Sequence, residues 1–193
     1  MSYHHGDLRA VLLDRAEQIL REGGVAELSL RALARDTGVS HAAPSRHFKD
    51  RQALLDALAL TGFERLTEIL EQVDATVDGT RERFTALGRS YVDFAIGNSR
   101  LLELMYARKH DPDVSEQVST AVGRMVAAML RPIVDGQAAG DIVAGEPERI
   151  ALVVAASLHG IATFACSGAF SAEETIEFVG ELVHHMLHGL TPR

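Results

Sequence analysis

The sequence predicts an all-α fold: an N-terminal three-helix helix-turn-helix unit over residues 1–49, then a C-terminal helical domain over 50–193. Three observations carry this. Apolar residues recur at the 3.6-residue period along nearly the whole chain. No stretch alternates apolar and polar residues as a half-buried strand does. The chain has only five Pro and no Trp, and Ala and Leu are frequent, a composition that suits helices.

In chain order, Tyr3–Gly6 reads as a short polar arm and Asp7 as the cap of a first helix. Leu8, Val11, Leu12, Ala16, Ile19 and Leu20 give that helix one apolar face, and Gly23-Gly24 ends it. In the next stretch, Leu28 to Phe48, Leu30, Leu33 and Ala34 repeat the helical spacing. Ser29 stands at the N-cap and Gly38 at the exit, where a positive φ is needed. Ser40 offers a second cap, for a second short helix reaching about His47. Pro44 is its odd residue, because a proline beyond the first helical turn removes a hydrogen bond. Either that first turn is irregular or the helix starts later.

Asp50 can cap a long helix from Arg51 to roughly Val73, with Leu54, Leu55, Leu58, Phe63, Leu66, Ile69 and Leu70 on its apolar side. Four more helical patterns follow the break at Val77-Asp78-Gly79, beginning with Arg81–Ile96 and Ser99–His110. Val114–Gly136 comes next, with Pro132 placed to kink or end it. After a loop at Gly136–Glu146 comes Pro147–Cys166, apolar nearly all round, which marks a buried or interface helix. Ser171–His188 is the last helix.

Composition limits what such a chain does. Hydrophobic residues make up 47% and charged ones 24%, an ordinary globular balance. There is no run of 18 consecutive apolar residues and no signal-peptide core, so no membrane span is expected. Cys166 is the only cysteine, which excludes an intrachain disulfide and suits a reducing cytoplasm. Phosphate loop, nucleophile elbow and H-E-x-x-H metal motif are all absent, so no enzyme and no cofactor are expected. The net charge of −8 is unevenly spread. Residues 1–51 carry eight Lys/Arg against seven Asp/Glu, and the rest eleven against twenty. The N-terminal end is therefore the part suited to face phosphate.

Two short helices joined by a Gly turn, with basic residues on and around the second, have the shape and charge of a DNA reader. Leu28–Leu54 resembles the DNA-binding segment of the TetR family of transcriptional regulators. The matching residues are the Leu-Ser-Leu-Arg-Ala-Leu-Ala run, Gly38-Val39-Ser40, Arg46-His47-Phe48 and Ala53-Leu54, preceded by Ala16–Glu27. The resemblance is specific over about Asp7–Leu60 and architectural beyond.

The resemblance implies a homodimeric repressor on double-stranded operator DNA, responsive to a small hydrophobic or amphipathic effector. It places Arg31 where a base edge is within reach, and His41, Ala42, Ala43 and Arg46 on the groove-facing side of the recognition helix capped by Ser40. Arginine can bond guanine bidentately, and alanine can meet a thymine methyl. Ser29, Ser45, His47 and Arg51 match phosphate-contacting positions, and Lys49 is a helper. The chain departs from the family twice here, with Ser45 for the usual Tyr and Arg51 for the common Lys.

In the C-terminal domain, Leu158-His159-Gly160 is similar to a Trp-His-Gly effector-domain signature without its Trp. The wall of an effector pocket is expected from Phe84, Leu87, Tyr91, Phe94, Met105, Tyr106, Met125, Met129, His159 and Phe164. The last two helices are expected to form the dimer interface. Glu177, Glu181, His184 and His188 share one sector of the last helix, a spacing open to a metal but more economically a solvated face. No metal is assigned. A DNA-binding regulator without an effector and a metal sensor remain the alternatives.

Overall fold

The computed structural model describes residues 8–189, and all regular structure among them is helical. The arm Tyr3–Gly6 and the cap Asp7 lie outside the described residues. The chain packs as two units. The first takes the chain up to Glu64 together with Arg100–Val122, and the second takes Arg65–Ser99 and the chain from Gly123 on. The boundary expected near residue 50 is thus not where packing divides the chain. A long helix starts in one unit and ends in the other.

In the first unit, helix α1 (Leu8–Gly23) buries Leu12, Ala16, Ile19 and Leu20, the face its spacing predicts. Gly24, at φ 81°, turns the chain into a 3-10 turn at Val25–Glu27. Helix α2 (Leu30–Thr37) begins where Ser29 Oγ accepts the Ala32 N–H at 3.1 Å. It ends at Gly38, whose left-handed φ of 68° brings its N–H and that of Val39 back to α2 carbonyls. A side chain in that conformation costs energy that glycine avoids.

The second helix of the motif differs from expectation. Residues 41–43 form a turn, and a 3-10 turn follows at Pro44–Arg46. The cause is Pro44, which has no N–H to continue a helix from Ser40 and is tolerated only where helical structure begins. No side chain caps this turn, so Ser40 does not play the expected part. The Pro44 carbonyl accepts the N–H groups of both His47 and Phe48. Phe48, 2% exposed, anchors the segment, and Arg9 of α1 sits 5.6 Å from its ring centroid.

Helix α3 (Arg51–Thr76) buries Leu54, Leu58 and Phe63 in this unit. Helix α5 (Ser99–Lys109) packs Met105 over Gly62, where any Cβ would fall 2.6 Å from the Met105 sulfur. Arg108 is 4% exposed. Its Nε donates to Asp56 at 2.6 Å and its Nη1 pairs with Asp111, while Asp56 also accepts the Ser115 N–H.

In the second unit, helices α4 (Thr80–Gly97), α7 (Pro147–Cys166) and α8 (Ala172–His188) pack on one another. Gly88 sets their closeness, since a Cβ there would lie 3.0 Å from Val179 and 3.2 Å from Leu158. Helix α6 (Glu116–Ala139) continues through Pro132 and does not stop there. Arg83 joins Asp74 of α3 to Asp135 of α6, and the two carboxylates hold its guanidinium firmly charged. Ser171 and Glu174 form a reciprocal capping box at the start of α8.

Helix α7 is long and apolar enough to cross a membrane by length and composition, with a mean hydropathy of 1.6 over its 18-residue window. Ser157, His159, Gly160 and Thr163 interrupt it, which is why no unbroken apolar run exists. Much of its apolar surface is open: Leu152 is 71% exposed and Val153 59%.

Candidate nucleic-acid interface and an apolar cavity

Helix α1 braces the helix-turn-helix segment. Arg15 of α1 donates to Asp36 of α2 at 2.8 Å, and this bond holds the Asp36 carboxyl below its ordinary range. Arg31, His41, Ala42, Ser45, Arg46, His47 and Lys49 are all exposed and Ala43 is half-buried. Arg31, Arg46 and Lys49 are ion-paired to no carboxylate among the described residues. They are unneutralised cations on one short stretch, as phosphate and base contact require.

Two members of the expected set are already committed inside the protein. Ser29 uses its hydroxyl as the α2 cap. Arg51 is turned onto the backbone, with Nε donating to the Leu28 carbonyl at 2.8 Å and Nη2 to the Val25 carbonyl at 2.6 Å. Sequence reasoning missed this second arrangement, because a long-range bond to a carbonyl leaves no trace in residue type.

In the second unit, an apolar cavity of about 60 Å³ lies among α3, α4, α6 and α7. Phe84, Leu87, Tyr91 and Met129 of the expected wall line it. His159 stands beside it, with Nδ1 3.0 Å from the Tyr91 hydroxyl. Val154, Ala155 and Leu158 of α7 also line it, together with Leu70 and Pro132. A second, wider cavity of about 450 Å³ shares Phe84, Val154 and Leu158, and has Asp141 and Arg149 in its wall.

The other expected wall residues are elsewhere. Phe94 and Met125 are buried in packing, and neither lines the cavity. Met105 and Tyr106 belong to the first unit, Met105 as core over Gly62 and Tyr106 half-buried near Lys109. Phe164 points outward, 54% exposed and 5.3 Å from the Phe170 ring. The period identified which residues are apolar but did not say which helix faces surround a void.

Glu177, Glu181, His184 and His188 are exposed on α8. The His184 and His188 rings stack at 4.5 Å, and His188 Nδ1 lies 3.0 Å from the His184 carbonyl oxygen. Stacked rings do not converge on one point, and no group of three potential ligands gathers for a metal among the described residues.

An exposed cationic helix-turn-helix segment, joined in one chain to a helical unit with an apolar cavity, is the arrangement expected of a DNA-binding regulator. Comparison with known proteins makes the class specific. Residues 12–58 match the model of bacterial regulatory proteins of the tetR family, and residues 84–190 that of the tetracyclin repressor-like C-terminal domain. The second match spans more than half of the chain, which belongs to the tetR family of transcriptional regulators. A solved protein of unknown function from Rhodococcus sp. RHA1 is 49% identical over all of both chains, with a TM-score of 0.90. An HTH-type transcriptional regulator of Mycobacterium tuberculosis is 28% identical over 142 residues, which is 70% of this chain but 59% of that protein's length. A transcriptional regulator FadR from Bacillus subtilis, solved in complex with stearoyl-CoA, shares the fold. Its TM-score is 0.77 at 12% identity, over 93% of this chain and 98% of that one.

Proposed function

We propose that the protein is a cytoplasmic homodimeric repressor that holds a palindromic operator and is released when an apolar or amphipathic effector enters the second unit. The observation that carries this is the cavity itself. Its wall is almost wholly apolar, with the Tyr91 hydroxyl beside His159 as a polar element, the pattern of a small-molecule site. The fatty-acyl ligand of the FadR regulator from Bacillus subtilis supports an effector with an apolar chain. Leu158-His159-Gly160 keeps the His-Gly of a Trp-His-Gly effector domain. Arg31, His41, Ala42, Ala43 and Arg46 are the proposed base readers, and Ser45, His47 and Lys49 the phosphate contacts.

Release requires the effector to prefer the arrangement that binds DNA less well. Operator and effector must then weaken each other by the same factor. The experiment is to select an operator from random duplex DNA, find a ligand by thermal-shift screening, and measure each affinity with and without the other partner. Ala155→Leu narrows the cavity and is expected to reduce effector affinity at least tenfold while leaving operator affinity intact. A ligand that binds free and operator-bound protein equally well would remove the release mechanism.

A further inference from the structure

Residues 29–50 contain the whole reader, from the Ser29 cap to Asp50, and the residues just outside them are tied together. Arg51 opens α3, and its guanidinium sends two N–H groups to the carbonyls of Leu28 and Val25, in the turn that leads into α2. The bonds are 2.8 and 2.6 Å long, from Nε and Nη2, two donors of one planar fork. A second observation points the same way. Asp50 Oδ1 accepts the Ala53 N–H at 2.8 Å, so a carboxylate occupies the start of α3, where a phosphate would otherwise meet free N–H groups.

We propose that Arg51 is a positioning residue of the DNA reader, a strut joining the start of α3 to the turn before α2, and not a phosphate ligand. This rests on the first unit being the DNA-binding one. The strut closes the base of the segment that carries Arg31 and Arg46, so it fixes the angle at which those side chains are presented. Geometry demands arginine. A lysine ammonium carries the same charge but has no planar pair of donors to span two carbonyls.

The charge-conserving variant separates the two roles. Arg51→Lys and Arg51→Ala are both expected to lose about tenfold in affinity for a duplex selected from a random pool. The loss should be the same at every salt concentration, with little change on random-sequence duplex. Lys49→Ala, by contrast, should lower the slope of log affinity against log salt by about one. The free protein gives a reading independent of DNA. Its Arg51 Nε–H should resist exchange with solvent in nitrogen-15 spectra, and should be unmoved by added duplex. The proposal is overturned if Arg51→Lys binds like the wild type while Arg51→Ala flattens the salt slope. It is equally overturned if the Nε–H exchanges freely in the free protein. Should the wild type show no salt-dependent DNA binding, the DNA-binding reading fails, and the strut is then judged by the Nε–H and by the melting temperature of Arg51→Lys alone. A protected Nε–H with a lowered melting temperature sustains it.

Discussion

Tyr91 Oη and His159 Nδ1, separated by 68 positions in sequence, lie 3.0 Å apart and join α4 to α7 at the edge of the apolar cavity. Tyr91→Phe keeps the ring in the cavity wall and removes only the hydroxyl. A part-buried hydrogen bond contributes about 1 kcal/mol. The variant should therefore melt about 2–4 °C lower in calorimetry. An unchanged melting temperature would mean that the contact contributes nothing to the fold.

For the reader, Arg46→Ala and Arg31→Ala are each expected to weaken binding to a selected operator by about 1–3 kcal/mol and to relax preference at one base position. Mobility shifts on a panel of single-base operator variants check this. If neither variant changes affinity, the exposed face that carries Arg31 and Arg46 is not the reading surface.

The dimer is expected to form through α7 and α8, and the choice of test residue matters. Val179 and Val183, natural picks from the helical period, are 1% and 4% exposed within the chain itself. An Asp at either would disrupt the α4, α7 and α8 packing before it could report on association. Leu152 and Ile176 are 71% and 46% exposed. Leu152→Asp and Ile176→Asp should give folded monomers that bind operator weakly, read by sedimentation together with helical circular dichroism. A dimer unaffected by both would move the interface off these helices.

Acid should weaken the second unit through His184. Desolvation, and then the neighbouring charges of His188, Arg81 and His185, push its imidazole below the ordinary value of 6.5. Because the folded state holds the proton less well than the unfolded chain, this contribution is complete above that ordinary value. It is lost as pH falls through the lowered folded one. Between pH 7.5 and pH 5.5 the melting temperature should drop less in His184→Gln than in the wild type. Equal drops would show that His184 is not the sensitive group. Glu174 adds a similar loss at lower pH, since the Ser171 backbone N–H and hydroxyl hold its carboxylate below the usual range.

Several caps and breaks were legible because they are local. Ser29, Gly38, Gly79, Pro147 and Ser171 stand where their side chains or φ values begin or end helices, whatever surrounds them. Pro44 announced trouble in the second helix of the motif for the same reason, and the structure resolves it as a turn followed by a 3-10 turn. Phe94, Met105, Met125 and Phe164 were not legible. Each is apolar at helical spacing, and nothing local distinguishes a residue facing a void from one facing core or solvent.

The sequence alone determined that the chain is helical, where most helices begin and end, and that its cationic helix-turn-helix segment lies near the N-terminus. Those features follow from backbone sterics, hydrogen-bond capping and charge counted along the chain. Tertiary structure decided the rest. It set the boundary of the packed units, turned Arg51 onto the Leu28 and Val25 carbonyls, and buried Val179 beneath Gly88 while leaving Leu152 open. It also gathered Phe84, Tyr91 and Met129 around one cavity. These depend on which surfaces meet across tens of residues, and that information is in the packing of side-chain shapes, which no one-dimensional period encodes.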